Sequence, residues 1–286
     1  MRSSQQQLFL PPKPGLLPDD ERALRDACLK LEHPSLAARL TSKLGLPIEH
    51  AFKLLPDSWY AGLHDAIRKS LEKSLEVAIF SLGPEKNKER RSRYHRVFSA
   101  CSGAAGGLFG LPSVLAEVPV TSTIILRSVA DIARNQGEEL DRLEARLACL
   151  EVFALGGGSR RDEAAETGYY GIRLVLAMHF SVISEQVANQ GIVKWSPPGL
   201  VRFIAEIAAR FGVVVTQKAA VQMVPILGAA SGAVVNLVFL EHFQDIARAH
   251  FTMRRLERTY GESLVRSEYR KLTRSDGEFD MAESKG

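Results

Sequence analysis

Cysteine and recognisable catalytic motifs are both scarce in this 286-residue chain. The three cysteines, Cys28, Cys101 and Cys149, are odd in number and widely spaced, which excludes a disulfide framework and a CxxC metal site. No HExxH or GxSxG sequence occurs, so the chain offers no motif for a zinc protease or a serine hydrolase. We therefore expect a reducing compartment and no bound cofactor.

We also expect no secretory leader at the start of this sequence. Residues 1–7 are polar and are followed by Pro11, Pro12 and Pro14, which leaves no room for the apolar core of a signal peptide. The net charge is only +4, and the basic residues have neither aromatic interleaving nor a nucleic-acid-binding motif. These features predict a cytoplasmic protein without a nucleic-acid partner.

The remaining composition is that of a folded helical protein. Hydrophobic residues make up 45% and charged residues 24%, which are ordinary values for a globular chain. Apolar residues recur at spacings of three and four, as in Leu63, Ile67 and Leu71, which indicates helices with one buried face. We predict an all-α, multi-helix bundle without a sheet.

We expect three regions along the chain. Residues 1–18 form a flexible, proline-rich arm, and residues 263–286 form a charged, partly disordered tail. Residues 19–262 form a single helical domain. Within it, Gly137 should break the chain before a helix over 138–155, and Gly212 should end another helix.

Two apolar stretches stand out within this domain. Residues 97–126 carry one charge, Glu117, and residues 219–240 carry none. Either stretch is long enough to cross a bilayer, which requires about 20 apolar residues. Pro112, Pro119 and Pro225 interrupt them. We therefore predict two central helical hairpins rich in glycine and alanine, inserted in lipid or buried in the core.

A basic block directly precedes the first apolar stretch. It contains one acidic residue, Glu89, and six basic residues: Lys86, Lys88, Arg90, Arg91, Arg93 and Arg96. Each basic residue near an anionic lipid surface contributes about 1 kcal/mol to binding. The block predicts peripheral attachment to the inner membrane, with an anionic membrane surface or a membrane protein as partner. The alternative is a solvated helix face.

A glycine-rich segment offers a second candidate for anion binding. Gly157, Gly158, Ser159 and Arg160 come just before a predicted helix, whose N-terminal N–H groups and adjacent guanidinium could hold a phosphate or a lipid headgroup. The spacing matches neither a P-loop nor a dinucleotide fingerprint. An ordinary helix start capped by Ser159 explains the same residues.

Several ordered blocks of the sequence resemble the EcsC family. They are PSLAARLTSKLGLPIEHAFKLLP, AAGGLFGLPSVLAEVPVTSTIILRSVADIARNQGE, EARLACLEVFALGG and VPILGAASGAVVNLVFLEHFQDIARAHF. The resemblance covers roughly residues 33–260 and implies a bacterial protein, named after an operon that also encodes an ABC transporter. It implies an accessory role in membrane transport or secretion, without a settled biochemical activity.

The resemblance also implies an acidic residue between the two prolines of the central stretch, which here is Glu117. A lone carboxylate among apolar residues must be paired, protonated or directed at water. Glu117 is therefore our first candidate functional residue. A structural ion pair is the alternative.

A metal-dependent hydrolase is a rival hypothesis. His242 and Asp245 lie on one predicted helix and could share a divalent metal, with Glu117 as a further candidate for the site. His250 lies eight residues from His242, about 12 Å along a helix, which is too far to ligate the same ion. Ordinary ion pairing of this helix explains the same residues, and a soluble helical binding module is a third possibility for the whole chain.

Overall fold

The described part of the chain is helical throughout. A computed structural model describes residues 15–32, 36–44, 62–63, 66–72, 111–157, 168–190, 198–222 and 228–283, and no strand occurs among them. The prediction of an all-α bundle is confirmed. The helices that can be bounded are α1 (Pro18–Glu32), α2 (Leu36–Leu44), α3 (Leu111–Asn135), α4 (Leu143–Leu155), α5 (Tyr169–Gln190), α6 (Pro198–Gln222), α7 (Gly228–Tyr260) and α8 (Glu262–Glu283).

Helix α7 is the centre of the fold. It is 33 residues long and packs against α1, α2, α3, α4, α6 and α8. Its buried aromatic residues, Phe239 and Phe243, meet Phe211 of α6 and Phe153 of α4. The rings of Phe153 and Phe211 lie 4.8 Å apart in an edge-to-face arrangement, which favours such pairs. This aromatic cluster fixes the packing of α4, α6 and α7.

The first apolar stretch does not turn at Pro119. Helix α3 runs without a break from Leu111 to Asn135 and contains Pro119 in its interior, so the predicted interruption is wrong. An interior proline removes one helical hydrogen bond. Here the buried contacts on both sides of it, at Val118 and Ile125, outweigh that local cost.

Most of the described side chains of both apolar stretches lie in the core, although Val120 and Val234 are exposed. On α3, Leu126 and Val129 are buried; on α6 and α7, Ala219, Ala220 and Leu240 are buried. Helix α6 ends at Gln222 and α7 begins at Gly228, on either side of the segment that contains Pro225. For these residues, the choice between lipid insertion and burial is decided in favour of burial. Residues 97–110 lie outside the described part of the chain.

Other boundaries differ from the sequence prediction. Gly137 has a φ of +84°, as expected at a chain break, but α4 begins at residue 143 instead of 138. Helix α5 begins only at Tyr169, after a bend at Gly168. Helix α6 continues past Gly212 for ten residues because Val214 and Val215 are buried on its inner face.

The C-terminal helix is part of the packed fold. The predicted domain boundary at residue 262 falls next to Gly261, whose φ of +89° separates α7 from α8. Helix α8 packs on α1 and α7 and buries Val265 and Tyr269. It ends at Glu283 and so covers most of residues 263–286, for which a partly disordered tail was predicted.

Two glycines provide a test of how α4 and α6 pack. A Cβ atom at Gly157 would lie 2.7 Å from the backbone carbonyl oxygen of Arg210 on α6, whereas one at Gly212 would lie 3.7 Å from Ile67 Cδ1. We predict that Gly157→Ala lowers the free energy of unfolding by about 1–3 kcal/mol, because backbone must move. Gly212→Ala should raise it by about 0.5–1 kcal/mol, because alanine favours a helix. Urea denaturation measures both, and equal effects would contradict the packing.

Candidate functional sites

Glu117 lies in a buried ion pair that joins three helices. Its Oε1 atom, on α3, accepts hydrogen bonds from Lys218 Nζ on α6 (2.9 Å), from Asn236 Nδ2 on α7 and from Thr121 Oγ1 (3.2 Å). The Glu117 and Lys218 side chains are only 5% and 3% exposed. Lys218 Nζ also lies 5.0 Å from the centre of the Phe239 ring. These contacts favour a structural ion pair over a catalytic role for Glu117.

Burial and pairing act in opposite directions on Lys218. Burial lowers the pKa of its ammonium group, and the charge and hydrogen bond of Glu117 partly offset that fall. In the sequence, Lys218 directly precedes the second apolar stretch, which begins at residue 219. In the structure, it is the partner of the lone carboxylate in the first stretch. The sequence contained a signal for this pairing: an isolated acidic residue in one apolar stretch and a basic residue directly beside the other.

His242 and Asp245 are engaged in separate contacts. His242 Nε2 lies 2.9 Å from the backbone carbonyl oxygen of Gly156 and must carry the proton that it donates. Asp245 accepts hydrogen bonds from Arg39 (2.8 Å) and Arg248 (2.7 Å). Within the described ranges, no three His, Cys, Asp or Glu side chains come together as a metal site would require.

Glu117 does not belong to the same site as these two residues. Its partner Asn236 precedes His242 by six residues on α7, a rise of about 9 Å along the helix axis. The three residues that a hydrolase was expected to use are therefore not brought together at one point. The Arg39 and Arg248 ion pairs instead connect Asp245 to α2 and to the next turn of α7.

A cleft of about 400 Å³ lies between the α3–α4 turn, α5 and the end of α7. Arg254 makes a bidentate ion pair with Glu138, through its Nε (2.9 Å) and Nη2 (3.1 Å) atoms. Arg258 also donates a hydrogen bond to Glu138. Burial opposes ionisation of Glu138, but these two guanidinium groups hold its pKa below the usual range. Arg173 pairs with Glu257 at 2.7 Å. The cleft walls are thus held by internal ion pairs.

A chain of buried polar groups lies beside this cleft. Arg173 donates to the Tyr169 hydroxyl (3.2 Å), which leaves the hydroxyl proton to be donated to His250 Nδ1 (3.1 Å). His250 Nε2 faces Glu151 Oε2 at 3.6 Å. Burial lowers the pKa of His250 well below its usual value and raises the pKa of Glu151 to about 7. No sequence motif predicted this cluster, which combines residues of α4, α5 and α7.

The two predicted anion-binding regions lie mostly outside the described residues. All of the basic block at 86–96 lies outside them, and so do Gly158, Ser159 and Arg160 of the glycine-rich segment. Gly157 is described, and the close approach of the Arg210 carbonyl group explains a glycine there without any anion.

The structure adds an exposed surface that the sequence reasoning missed. Helix α5 presents a row of apolar side chains to solvent: Leu174, Val175, Met178 and Val182. Among the helices of the described ranges, none has the length and apolarity needed to cross a bilayer. The signal in the sequence was that the apolar residues of 172–180 lie on every side of α5, although a surface helix usually has a polar face.

A family model described as the EcsC protein family matches residues 20–256 of the chain. The chain belongs to the EcsC family. The match extends from α1 to near the end of α7, so the EcsC region contains the Glu117 ion pair, the apolar row of α5 and most of the residues that line the cleft. Neither the curated proteins nor the solved structures include a match to the chain.

The Glu117 ion pair should be needed for stability of the EcsC region. We predict that Lys218→Met lowers the free energy of unfolding by about 3–5 kcal/mol, because it leaves a buried carboxylate without its countercharge. The matched control is Lys271→Met, which removes a 69% exposed lysine paired with Glu268 and should cost less than about 1 kcal/mol. Chemical denaturation of both variants gives the comparison.

Adding Glu117→Gln to Lys218→Met should recover part of that loss, because the buried negative charge is then removed as well. Equal stability of the Lys218→Met and Lys271→Met variants would argue against a structural role for the pair.

His242 should make stability depend on pH. Burial lowers the pKa of folded His242 to about 4, below its ordinary value of about 6.5, so the unfolded chain binds more protons between these pH values. Stability should therefore fall as the pH falls through this range, by up to about 3 kcal/mol from this residue. His242→Gln, which can still donate to Gly156, should reduce the loss by that amount in urea titrations. Parallel pH profiles for the two proteins would refute the assignment.

Proposed function

We propose that this EcsC protein is a peripheral membrane protein of the cytoplasmic face, which attaches to an anionic bilayer through the outer face of α5. On the membrane, it acts beside a membrane partner as an accessory to transport or secretion. The attachment is supported by the exposed apolar row of α5. The accessory role rests on the sequence resemblance discussed above.

The apolar row has the spacing of one helix face. Leu174, Met178 and Val182 are four residues apart, and they are 60%, 65% and 42% exposed. Residues four apart lie on the same side of a helix, so the three side chains form a strip about 12 Å long. Val175, 38% exposed, widens the strip on one side.

The opposite face of α5 is already used by the core. Ile172 and Leu176 are buried there, so α5 cannot turn its outer row inward without exposing these residues instead. Fully burying a leucine or methionine side chain contributes about 1.5–3 kcal/mol. Such a row suits an interfacial helix whose apolar side chains enter the boundary between headgroups and acyl chains.

Lipid binding should depend on the apolar row. We predict that Leu174→Ser/Met178→Ser weakens binding to vesicles of phosphatidylcholine with 30% phosphatidylserine at least about tenfold, because two large contacts are lost. Sedimentation with the vesicles at low and high salt measures this. The control is Leu29→Ser, which removes a 49% exposed leucine from α1 and should leave binding unchanged.

Circular dichroism and urea denaturation should confirm that both variants fold. A wild-type protein that stays wholly in the supernatant at low salt would contradict membrane attachment. That result would favour the third possibility, a helical binding module, which is supported by the burial of most described side chains of both apolar stretches.

A further inference from the structure

Helix α8 carries a basic groove that none of the sites above uses. The groove measures about 790 Å³, and its basic residues are Arg266, Arg270, Lys271 and Arg274. Three of them are spaced by four residues and therefore follow one side of the helix for about 12 Å. Ser263 and Ser267 add hydroxyl groups to the same groove, and Glu262 is its one acidic lining residue among those described.

The basic groove is connected to the apolar row of α5. The guanidinium group of Arg266 lies over the ring of Tyr170, 5.2 Å from its centre. Tyr170 precedes Leu174 by one helical turn, so it lies on the side of α5 that carries the apolar row. The Tyr170 and Tyr269 rings, 5.2 Å apart, pack the two helices together at this point. An apolar strip and a basic strip thus meet at an aromatic residue.

We propose that the α8 groove binds the phosphate groups of anionic phospholipids in the membrane that the α5 row contacts. The inference deepens the proposed function and rests on it. It identifies the chemical group that the positive charge of this surface recognises. The groove differs from the two anion-binding regions that the sequence predicted, the block at 86–96 and the segment at 157–160.

The chemistry of the groove matches a phosphate. A guanidinium group presents a planar fork of N–H donors that matches phosphate oxygens, and a serine hydroxyl can add another donor. Arg270 and Arg274 are exposed, whereas Arg266 is held against the Tyr170 ring. Each basic residue near an anionic bilayer adds to binding until salt screens it.

The neighbouring groups favour lipid over nucleic acid. A nucleic-acid surface that combines basic and non-polar groups uses aromatic side chains on which bases stack. Here the adjacent groups are the aliphatic side chains of Leu174, Met178 and Val182, which suit acyl chains, and Tyr170 is occupied by Arg266. An amphipathic aromatic between an apolar and a charged strip is typical of a membrane interface.

The test uses two vesicle compositions and the full-length chain. We expect Arg270→Gln/Arg274→Gln to bind vesicles with 30% phosphatidylserine at least about tenfold more weakly than the wild type, since two charges near the lipid surface are lost. Binding to pure phosphatidylcholine vesicles should not change. The control is Arg22→Gln/Arg142→Gln, which removes two arginines that are 79% and 66% exposed and lie outside the groove.

The outcomes separate this inference from the proposed function. Wild-type affinity of the Arg270→Gln/Arg274→Gln variant for phosphatidylserine vesicles overturns the groove assignment and leaves attachment through α5 intact. If the wild-type protein binds neither kind of vesicle, the groove assignment and the attachment through α5 are both overturned. Tighter binding of a duplex or single-stranded oligonucleotide than of the vesicles, abolished by the same two substitutions, would assign the groove to nucleic acid and also overturn the inference.

Discussion

The Glu117–Lys218 ion pair is the interaction on which the packing of the two apolar stretches depends. A charged residue inside an apolar stretch is costly unless a partner offsets its desolvation. The lone carboxylate of α3 finds that partner at the end of α6, and Asn236 of α7 completes the contact. Three apolar helices are thereby fixed in one register, and their large side chains pack around it. A buried polar contact of this kind can specify an arrangement that apolar packing alone leaves open.

The sequence patterns succeeded for features that depend on local structure. The helical periodicity predicted the fold class, and the glycine at 137 predicted the break there, because both features depend on local structure. The sequence also predicted that Glu117 needs a partner, because a single carboxylate among apolar residues is costly to bury alone. Which residue would be that partner was not readable, because Lys218 lies 101 positions away in the chain.

The failures have a common physical origin. Pro119 and Gly212 are strong local signals for a helix end, yet both lie inside long helices, since tertiary burial outweighs a local cost of a few kcal/mol. The buried polar cluster of Tyr169, His250 and Glu151 was not predicted, because it is assembled from three helices. The hydrolase hypothesis relied on His242 and Asp245, which lie on one helix. In the structure, these two side chains make separate contacts.

The surface proposed to bind lipid lies outside the core. Most described side chains of both apolar stretches are buried, whereas α5 presents an apolar row to solvent and α8 places arginines beside it. A photoactivatable anionic phospholipid, incorporated in vesicles and cross-linked to the bound protein, tests this surface most directly. Mass spectrometry of the cross-linked peptides should locate the lipid on residues 170–182 and 263–274. Cross-links confined to α1 or to the charged cleft would contradict the account.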